Sequence, residues 1–324
     1  MYKVLAKLLA NRLPAGIGSV VSDSQSAFVQ GKQILDGILV ANEAVDEARR
    51  LHMEMLLFKV YFEKAYDSVD LRYLDTVMHK MNFPTLWRKW TSECIGTATA
   101  SVLVNGCPTD EFPMERGLRQ GDALSPFLFL LADEGFNVLR LSIIEVWLFR
   151  GYYVGHDNAL CHSHLQFDDD TLIIGDKSWS NVRSIRAVLM SFEQVSGLKV
   201  NFNKSLLTGV NVSTSWLHEA ALVLHYRVGN FPFMYLGLPI GGDPRKLDFW
   251  KPIVNSIISR LSSWKSKFLS FGGRLILLKS VMSSLPVYFI SFFKAPAGII
   301  SSIKSLFKFF FLGGVVWTVG KSHG

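Results

Sequence analysis

The chain has 324 residues, which is long enough for two or three subdomains around a sizeable core. An apolar content of 49% excludes an intrinsically disordered chain. The three cysteines (Cys94, Cys107 and Cys161) lack the spacing of a disulfide framework and indicate a reducing compartment. We recognise no signal peptide and no uncharged apolar run long enough to cross a membrane. We therefore expect an intracellular protein, nuclear or cytoplasmic, with no membrane partner.

Charge is distributed unevenly along the chain. The net charge is +7, yet from Phe249 to the end there are ten Lys and Arg and no Asp or Glu. Residues 1–248 therefore hold 24 basic against 27 acidic residues, a net charge of −3. A uniformly basic segment of this kind is typical of a surface that binds nucleic acid. The alternative is a surface that faces an acidic domain of a longer protein.

The first half of the chain alternates predicted helices and short predicted strands. Residues 1–50 are predicted to be helical, and "MLLFKVYF" after them is predicted to be a strand. The apolar positions at helical spacing are Ile34, Ile38, Ala41 and Val45. Residues 71–95 are predicted to form helices around Pro84, and "TASVLVNG" to be one arm of a hairpin that turns at Asn105-Gly106.

The second half favours an α+β fold, because hairpins and helices alternate irregularly. "SPFLFLLADEGFNVLRLSII" is predicted to be a long buried helix with Ser125 as its N-cap. "HLQFDDDTLIIG" is predicted to be a tight hairpin, and residues 181–196 a helix that ends at Gly197. "FMYLGLPIGG" is predicted to be another strand and turn. The stripe that predicts the next helix consists of Ile253, Ile257, Leu261, Trp264 and Phe268.

Two short motifs contain the candidate functional residues. Asp168, Asp169 and Asp170 lie between apolar arms, where adjacent carboxylates repel each other unless a cation neutralises them. They indicate a Mg²⁺ site, or alternatively a solvated acidic turn. In "RGLRQGDALSP", a glycine-flanked loop brings Arg119 and Gln120 in front of a helix. Such a loop can contact a base or sugar while the arginine contacts phosphate, or it can simply lead into the helix.

The order of the motifs resembles that of a known protein family, and the resemblance covers nearly the whole chain. "FEKAYD", "GLRQGDALSP", "LQFDDDTL", "SGLKVNFNKS" and "YLGLPIGG" follow one another at characteristic spacing, after "SQSAFVQGKQILDGILVANEAVDEAR". This series resembles the reverse transcriptase domain of plant LINE-type (non-long-terminal-repeat) retrotransposons.

The resemblance implies a right-hand polymerase with an antiparallel palm sheet and helices. It divides the chain into partial fingers (1–55), palm (56–242), helical thumb (243–310) and a truncated connector (311–324). The implied reaction adds deoxynucleotides to a primer 3′ end under the direction of an RNA template. The implied partners are RNA template, DNA primer, RNA–DNA hybrid and deoxynucleoside triphosphates, and the implied cofactor is a pair of Mg²⁺ (or Mn²⁺) ions.

The resemblance also assigns site residues. Asp169 and Asp170 would be the catalytic metal ligands, with the backbone carbonyl of Phe62. Tyr66 would lie under the incoming sugar and exclude a 2′-hydroxyl. The further nucleotide-binding residues would be Arg119, Gln120, Gly121, Asp168 and Lys204. The residues that would track the nucleic-acid backbone are Arg260, Lys265, Lys267, Arg274 and Lys279.

This chain departs from the family pattern, and we expect catalysis to be impaired. Tyr61 replaces the first metal-ligand aspartate, and a neutral phenol supplies no carboxylate. Glu63 is on the same strand face but about 6.6 Å further along, so we do not expect it to replace the missing metal ligand. Asp168 replaces a small residue and Ala123 a proline. We also expect the first fingers motifs and the preceding endonuclease to be missing. The alternatives are a non-catalytic nucleic-acid-binding remnant and a chain that is not stably folded.

Overall fold

The computed structural model describes residues 2–97, 99–155, 160–263 and 268–313. The strands are β1 (Met55–Tyr61), β2 (Thr99–Ala100), β3 (Leu103–Val104), β4 (Cys107–Pro108), β5 (Phe112–Pro113), β6 (Tyr152–Val154), β7 (Leu160–His162), β8 (His164–Phe167), β9 (Asp170–Asp176), β10 (Leu206–Val210), β11 (Arg227–Val228), β12 (Phe233–Tyr235) and β13 (Leu238–Ile240). The α-helices are α1 (Tyr2–Arg12), α2 (Pro14–Ile17), α3 (Ile34–Arg50), α4 (Ala65–Ser68), α5 (Leu71–Lys80), α6 (Thr85–Gly96), α7 (Ser125–Glu145), α8 (Trp179–Ser196), α9 (Thr214–Leu224), α10 (Lys251–Ser263), α11 (Phe271–Leu277), α12 (Ser284–Phe292) and α13 (Ala297–Phe311). A 3₁₀ turn (Leu247–Trp250) and a π-helical segment (Leu278–Met282) complete the elements.

The main sheet has five strands in the order β11-β10-β1-β9-β8. Its pairs are antiparallel except β10 with β11, which is parallel. The mixed helix and sheet architecture confirms the predicted α+β class. The predicted strand at "MLLFKVYF" is the central strand β1, and the predicted tight hairpin is β8–β9.

The apolar side chains of β1 explain its central position. Leu56, Phe58, Val60 and Phe62 pack in the main hydrophobic core. Because side chains alternate along a strand, Lys59 and Tyr61 face the opposite side of the sheet. The sequence of β1 thus provides one face for the core and one face for polar side chains.

An aromatic cluster joins β1 to the helices that cover the core face of the sheet. The Phe62 ring lies 6.2 Å from that of Phe136 in α7 and 5.8 Å from that of Phe192 in α8. The last two rings are 5.2 Å apart. All three side chains are buried, and each contributes about 1.5–3 kcal/mol to folding by its removal from water. The end of β1 is therefore held firmly in position.

The helix caps agree with the sequence at one predicted site and differ at another. Gly197 ends α8 with a positive φ of 77°, as predicted. Ser125, in contrast, is not the N-cap of α7: the cap is Leu124, and the Ser125 hydroxyl donates to the Arg119 carbonyl oxygen at 2.7 Å. The serine hydroxyl therefore closes the preceding loop and does not cap the helix.

The chain divides into two compact units, residues 1–231 and 232–324. The second unit holds the β12–β13 hairpin and helices α10–α13 around Phe249, Trp250 and Phe289. The boundaries of fingers, palm and thumb remain predictions.

The apolar stripe of α10 is confirmed only in part. Ile253, Ile257 and Leu261 are buried, but Phe268 lies beyond the helix and is 73% exposed. Trp264 lies outside the described residues. Phe268 is therefore not part of the buried stripe, contrary to the prediction.

The helical run Phe271–Phe292 is long and apolar enough to cross a membrane by length and composition. It includes Arg274 and Lys279, so it is not an uncharged run of the kind sought in the sequence.

Candidate active site

The end of β1 and the β8–β9 turn form one site. Tyr61 is the cross-strand partner of Asp170, the first residue of β9. Asp168 and Asp169 form the turn before it, and Asp168 has a positive φ of 54°, a conformation that aspartate tolerates better than most residues. The phenol of Tyr61 therefore stands beside the carboxylates, where the resemblance places a third acid.

Two lysines approach this group of side chains. Lys59 Nζ lies 3.7 Å from Asp170 Oδ1, and the two side chains are only 16% and 21% exposed. Lys204 Nζ lies 4.2 Å from the centroid of the Tyr61 ring, in cation–π contact. Lys204 was assigned from the sequence, but Lys59 was missed. Its position two residues before Tyr61, on the same strand face, was the signal that could have revealed it.

Tyr66 connects helix α4 to the acidic turn, the name used for Asp168, Asp169 and Asp170. Its hydroxyl donates to Asp168 Oδ1 at 2.8 Å. Its ring stacks on Phe129 of α7, with centroids 4.8 Å apart and planes 20° from parallel. The aromatic side chain that the resemblance assigns to the sugar is thus fixed on one side by a ring and on the other by a carboxylate.

The loop before α7 is docked on the segment that follows Tyr66. The Leu118 amide donates to the Tyr66 carbonyl oxygen at 2.7 Å, and the Gly117 amide donates to that of Val69 at 2.8 Å. Gly117 has a φ of 92°, and a Cβ there would lie 2.9 Å from the carbonyl oxygen of Asp67. This contact requires glycine. Arg119, Gln120 and Gly121 are exposed on the same loop.

A turn-rich segment near the N-terminus also reaches the acidic turn. Gln25 forms a parallel bridge with Gln166 of β8, and its side-chain Oε1 accepts from the Asp168 amide at 3.3 Å. Gln166 in turn donates to Asp133 Oδ2 at 2.9 Å. No local pattern in the sequence marks Gln25, because the contact spans 143 positions.

Burial dominates the electrostatics of the acidic turn. It raises the pKa of Asp168 to about 6, although the hydrogen bond from Tyr66 acts in the opposite direction. Burial also raises the pKa of Asp169 and Asp170, and the positive charges of Lys59 and Lys204 oppose that rise. The pKa of Tyr66 is raised by burial and by the nearby Asp168 charge, so its hydroxyl remains a donor.

The residues present do not fit the pair of divalent ions that the family implies. Two close ions need several carboxylates, but the position opposite Asp170 holds a phenol, and Asp170 itself is paired with Lys59. Among the described residues no group of three His, Cys, Asp or Glu side chains is placed to hold a metal ion. Glu63 is exposed beyond the end of β1 and belongs to no such group.

The structure brings together most of the predicted site. Tyr61, Tyr66, Asp168, Asp169, Asp170 and Lys204 lie around the end of β1. Phe62 follows directly and pairs with Val200 through an isolated bridge. In the second unit, Arg260 and Lys279 are exposed and Arg274 is half-buried. Lys265 and Lys267 lie outside the described residues.

Comparison with known proteins adds three kinds of match. The model of the family described as reverse transcriptase (RNA-dependent DNA polymerase) matches residues 1–240. The chain is 25% identical over 289 residues to the transposon TX1 uncharacterized 149 kDa protein of Xenopus laevis, covering 87% of this chain and 21% of that protein. It is 22% identical over 215 residues to the retrovirus-related Pol polyprotein from the type-1 retrotransposable element R2 of Popillia japonica, covering 66% and 29% respectively.

A shorter match is closer in sequence. A putative ribonuclease H protein of Arabidopsis thaliana is 39% identical over 66 residues, 20% of this chain and 11% of that protein. Among solved structures, telomerase from Candida albicans in complex with a fragment of telomeric RNA is similar, with 12% identity and a TM-score of 0.49, covering 98% of this chain and 54% of that one. The chain thus spans less than a third of the length of each of these three relatives.

Proposed function

The chain belongs to the reverse transcriptase (RNA-dependent DNA polymerase) family, and on that premise we propose that it is the polymerase domain of a non-long-terminal-repeat retrotransposon. The reaction of such a domain is template-directed transfer of a nucleotide to a primer 3′ end. The similarity to the TX1 and R2 proteins supports the assignment to this class of element. The motif series and the short match to an Arabidopsis protein support the finer proposal of a plant LINE-type element.

In this proposal the site residues keep the roles that the resemblance gives them. Tyr66 lies under the sugar of an incoming deoxynucleoside triphosphate, and its contact with Phe129 keeps the ring plane fixed. The loop that is docked on the segment after Tyr66 contacts the nucleotide and the template. Its residues in this contact are Arg119, Gln120 and Gly121. RNA template and DNA primer are the proposed partners, and Mg²⁺ or Mn²⁺ is the cofactor of active relatives.

We propose further that this copy is catalytically impaired. The observation that carries this proposal is the position of Tyr61, directly across from Asp170 with a phenol in place of a carboxylate. Residues that act together in a catalytic centre are not additive, so loss of one commonly removes most of the rate. No step through a metal pair can be assigned to the residues present.

Primer extension on an RNA template tests both parts of the proposal. We expect no extension by the natural chain with Mg²⁺ or Mn²⁺, and a gain of extension in Tyr61→Asp, with or without Asp168→Ala. Tyr153→Asp is a matched control, because it makes the same substitution at an exposed position of strand β6. Robust extension by the natural chain would contradict the impairment. Extension that stays absent in Tyr61→Asp would show that another feature limits activity.

A second candidate function is non-catalytic binding of nucleic acid. It is favoured by the segment from Phe249 onward, which contains ten basic and no acidic residues. Such binding depends on phosphate neutralisation and has little sequence preference. Binding of an RNA–DNA hybrid by the natural chain, without extension and with strong salt dependence, would support this function. Absence of binding at low salt would exclude it.

A further inference from the structure

We infer that the ammonium groups of Lys59 and Lys204 are resident counter-cations of the acidic turn, so that this centre is folded and neutralised without a divalent metal ion. The inference rests on the proposed function in one respect, since it concerns the centre at which the family places its metal ions.

Lys59 is the counter-cation of Asp170. Its Nζ lies 3.7 Å from Asp170 Oδ1, and this oxygen forms no hydrogen bond with the described residues. Both side chains are largely shielded from solvent, with 16% and 21% exposure. A pair this shielded is screened far less than a surface ion pair, so removal of one partner leaves a poorly compensated charge.

Lys204 is held beside the turn by Tyr61. The Asn201 amide donates to the Tyr61 carbonyl oxygen at 2.7 Å, and Asn201 Oδ1 accepts from the Lys204 amide at 3.0 Å. The backbone of Lys204 is thus linked to Tyr61 through one residue. Its ammonium then lies 4.2 Å from the phenol ring centroid, where the negative face of the ring attracts it.

Asp168 is held by uncharged groups and not by a lysine. Asp168 Oδ1 accepts from the Tyr66 hydroxyl, and the Asp168 amide donates to Gln25 Oε1. Asp169 interacts electrostatically with both lysines, which lower its pKa against the effect of burial. Asp168 and Asp170 therefore have direct partners in this chain, and Asp169 lies within the electrostatic influence of both lysines.

Charge balance explains why the lysines and a metal pair exclude each other. Three carboxylates and two ammonium groups sum to at most one negative charge. A divalent ion placed beside Asp170 would lie close to the Lys59 ammonium, and like charges at this range repel strongly in a partly buried site. A carboxylate at position 61 would add the negative charge that a pair of metal ions needs. The phenol of Tyr61 instead binds the Lys204 ammonium.

The test uses Mn²⁺ as the probe and the full chain. Free Mn²⁺ is measured by electron paramagnetic resonance during titration, and Tm is measured with chelator and with Mn²⁺. We expect the natural chain to show weak Mn²⁺ binding and the same Tm in both conditions. In Lys59→Met we expect a lower Tm with chelator, recovery of Tm with Mn²⁺, and Mn²⁺ binding tighter by roughly tenfold, the ratio for a repulsion of about 1.4 kcal/mol removed.

Lys177→Met is the matched control, because Lys177 pairs with Glu54 at 2.7 Å and not with the acidic turn. It should leave Mn²⁺ binding unchanged. Lys204 is exposed, so Lys204→Met provides a second variant that should fold even if Lys59→Met does not. Its Mn²⁺ affinity should also rise.

Tight Mn²⁺ binding by the natural chain, or a Tm that falls with chelator, would overturn the inference. Unchanged Mn²⁺ affinity in both lysine variants would do the same. Primer extension separates this failure from that of the proposed function. If neither variant gains affinity while extension remains absent, the counter-cation inference fails and the proposed impairment stands.

Discussion

The hydroxyl of Tyr66 donates a hydrogen bond of 2.8 Å to Asp168 Oδ1, and this bond joins helix α4 to a turn 102 positions away. The Tyr66 ring also stacks on Phe129. The residue that we propose lies under the nucleotide sugar is therefore fixed by a carboxylate, at a position where the resemblance predicts a small side chain. Asp168 is the residue whose substitution reports most directly on this arrangement.

We expect Tyr66→Phe to lower the free energy of unfolding by about 1–2 kcal/mol, because a hydrogen bond to a charged acceptor is lost and a partly buried carboxylate loses its donor. In an Asp168→Ala background the same change should cost much less, because the partner is already gone. Chemical denaturation of the two single variants and the double variant measures the coupling. Equal effects in both backgrounds would show that the hydroxyl and carboxylate do not interact.

The raised pKa of Asp168 makes stability depend on pH. Burial raises this pKa to about 6, above the ordinary value near 4, so the folded state binds the proton more tightly than the unfolded state. The contribution of Asp168 is therefore fully present at low pH and is lost as pH rises through about 6. Asp168→Asn, which keeps the shape and an acceptor for Tyr66, should be more stable than the natural chain by about 1–2 kcal/mol at neutral pH.

Near pH 4 this advantage of Asp168→Asn should disappear, because the natural carboxyl is then protonated in the folded state. Denaturant unfolding of both chains at several pH values measures the difference. A constant difference across this range would show that the carboxyl of Asp168 is not responsible.

Gly197 and Gly37 should respond in opposite directions to substitution by alanine. At Gly197 the φ is 77°, and a Cβ would lie 2.6 Å from the carbonyl oxygen of Ser68. We expect Gly197→Ala to cost about 2 kcal/mol or more, since strain and a backbone clash add together. Gly37 lies within α3, and a Cβ added there would meet nothing within 4 Å, so Gly37→Ala should stabilise by about 0.5–1 kcal/mol. Thermal denaturation compares the two variants directly.

Features encoded within a short stretch of sequence were predictable. The apolar strand β1 and the acidic hairpin follow from alternation and from the turn between apolar arms, and Gly197 follows from its position after a helical stripe. The contacts that decide the chemistry were not predictable in this way. The Lys204 ammonium reaches Tyr61 only because residues 200–205 fold back on β1. Gln25 reaches Asp168 only because it forms an isolated bridge with Gln166 at the edge of β8. Pairing over such distances in sequence leaves no local pattern.

The basic second unit predicts a measurable dependence of nucleic-acid binding on salt. Each phosphate contact releases counter-ions, so removing one should reduce the slope of log affinity against log salt by roughly one. We expect Arg260→Gln and Lys279→Gln, both at exposed positions, each to flatten this slope for an RNA–DNA hybrid. Fluorescence anisotropy over a salt series measures it, with Lys177→Gln in the first unit as the control. Slopes equal to that of the natural chain would show that these two residues do not contact the phosphates of the hybrid.

The strand order has a consequence for how the protein is made. Strand β1 ends at Tyr61, but its two neighbours in the sheet, β9 and β10, end at Asp176 and Val210. At a synthesis rate of about 5–20 residues per second, the ribosome completes these partners roughly six to thirty seconds after β1. For that interval "MLLFKVY" is an unpaired apolar strand on a nascent chain. We therefore expect the yield of this protein to be sensitive to aggregation of one segment during translation, before any active site exists.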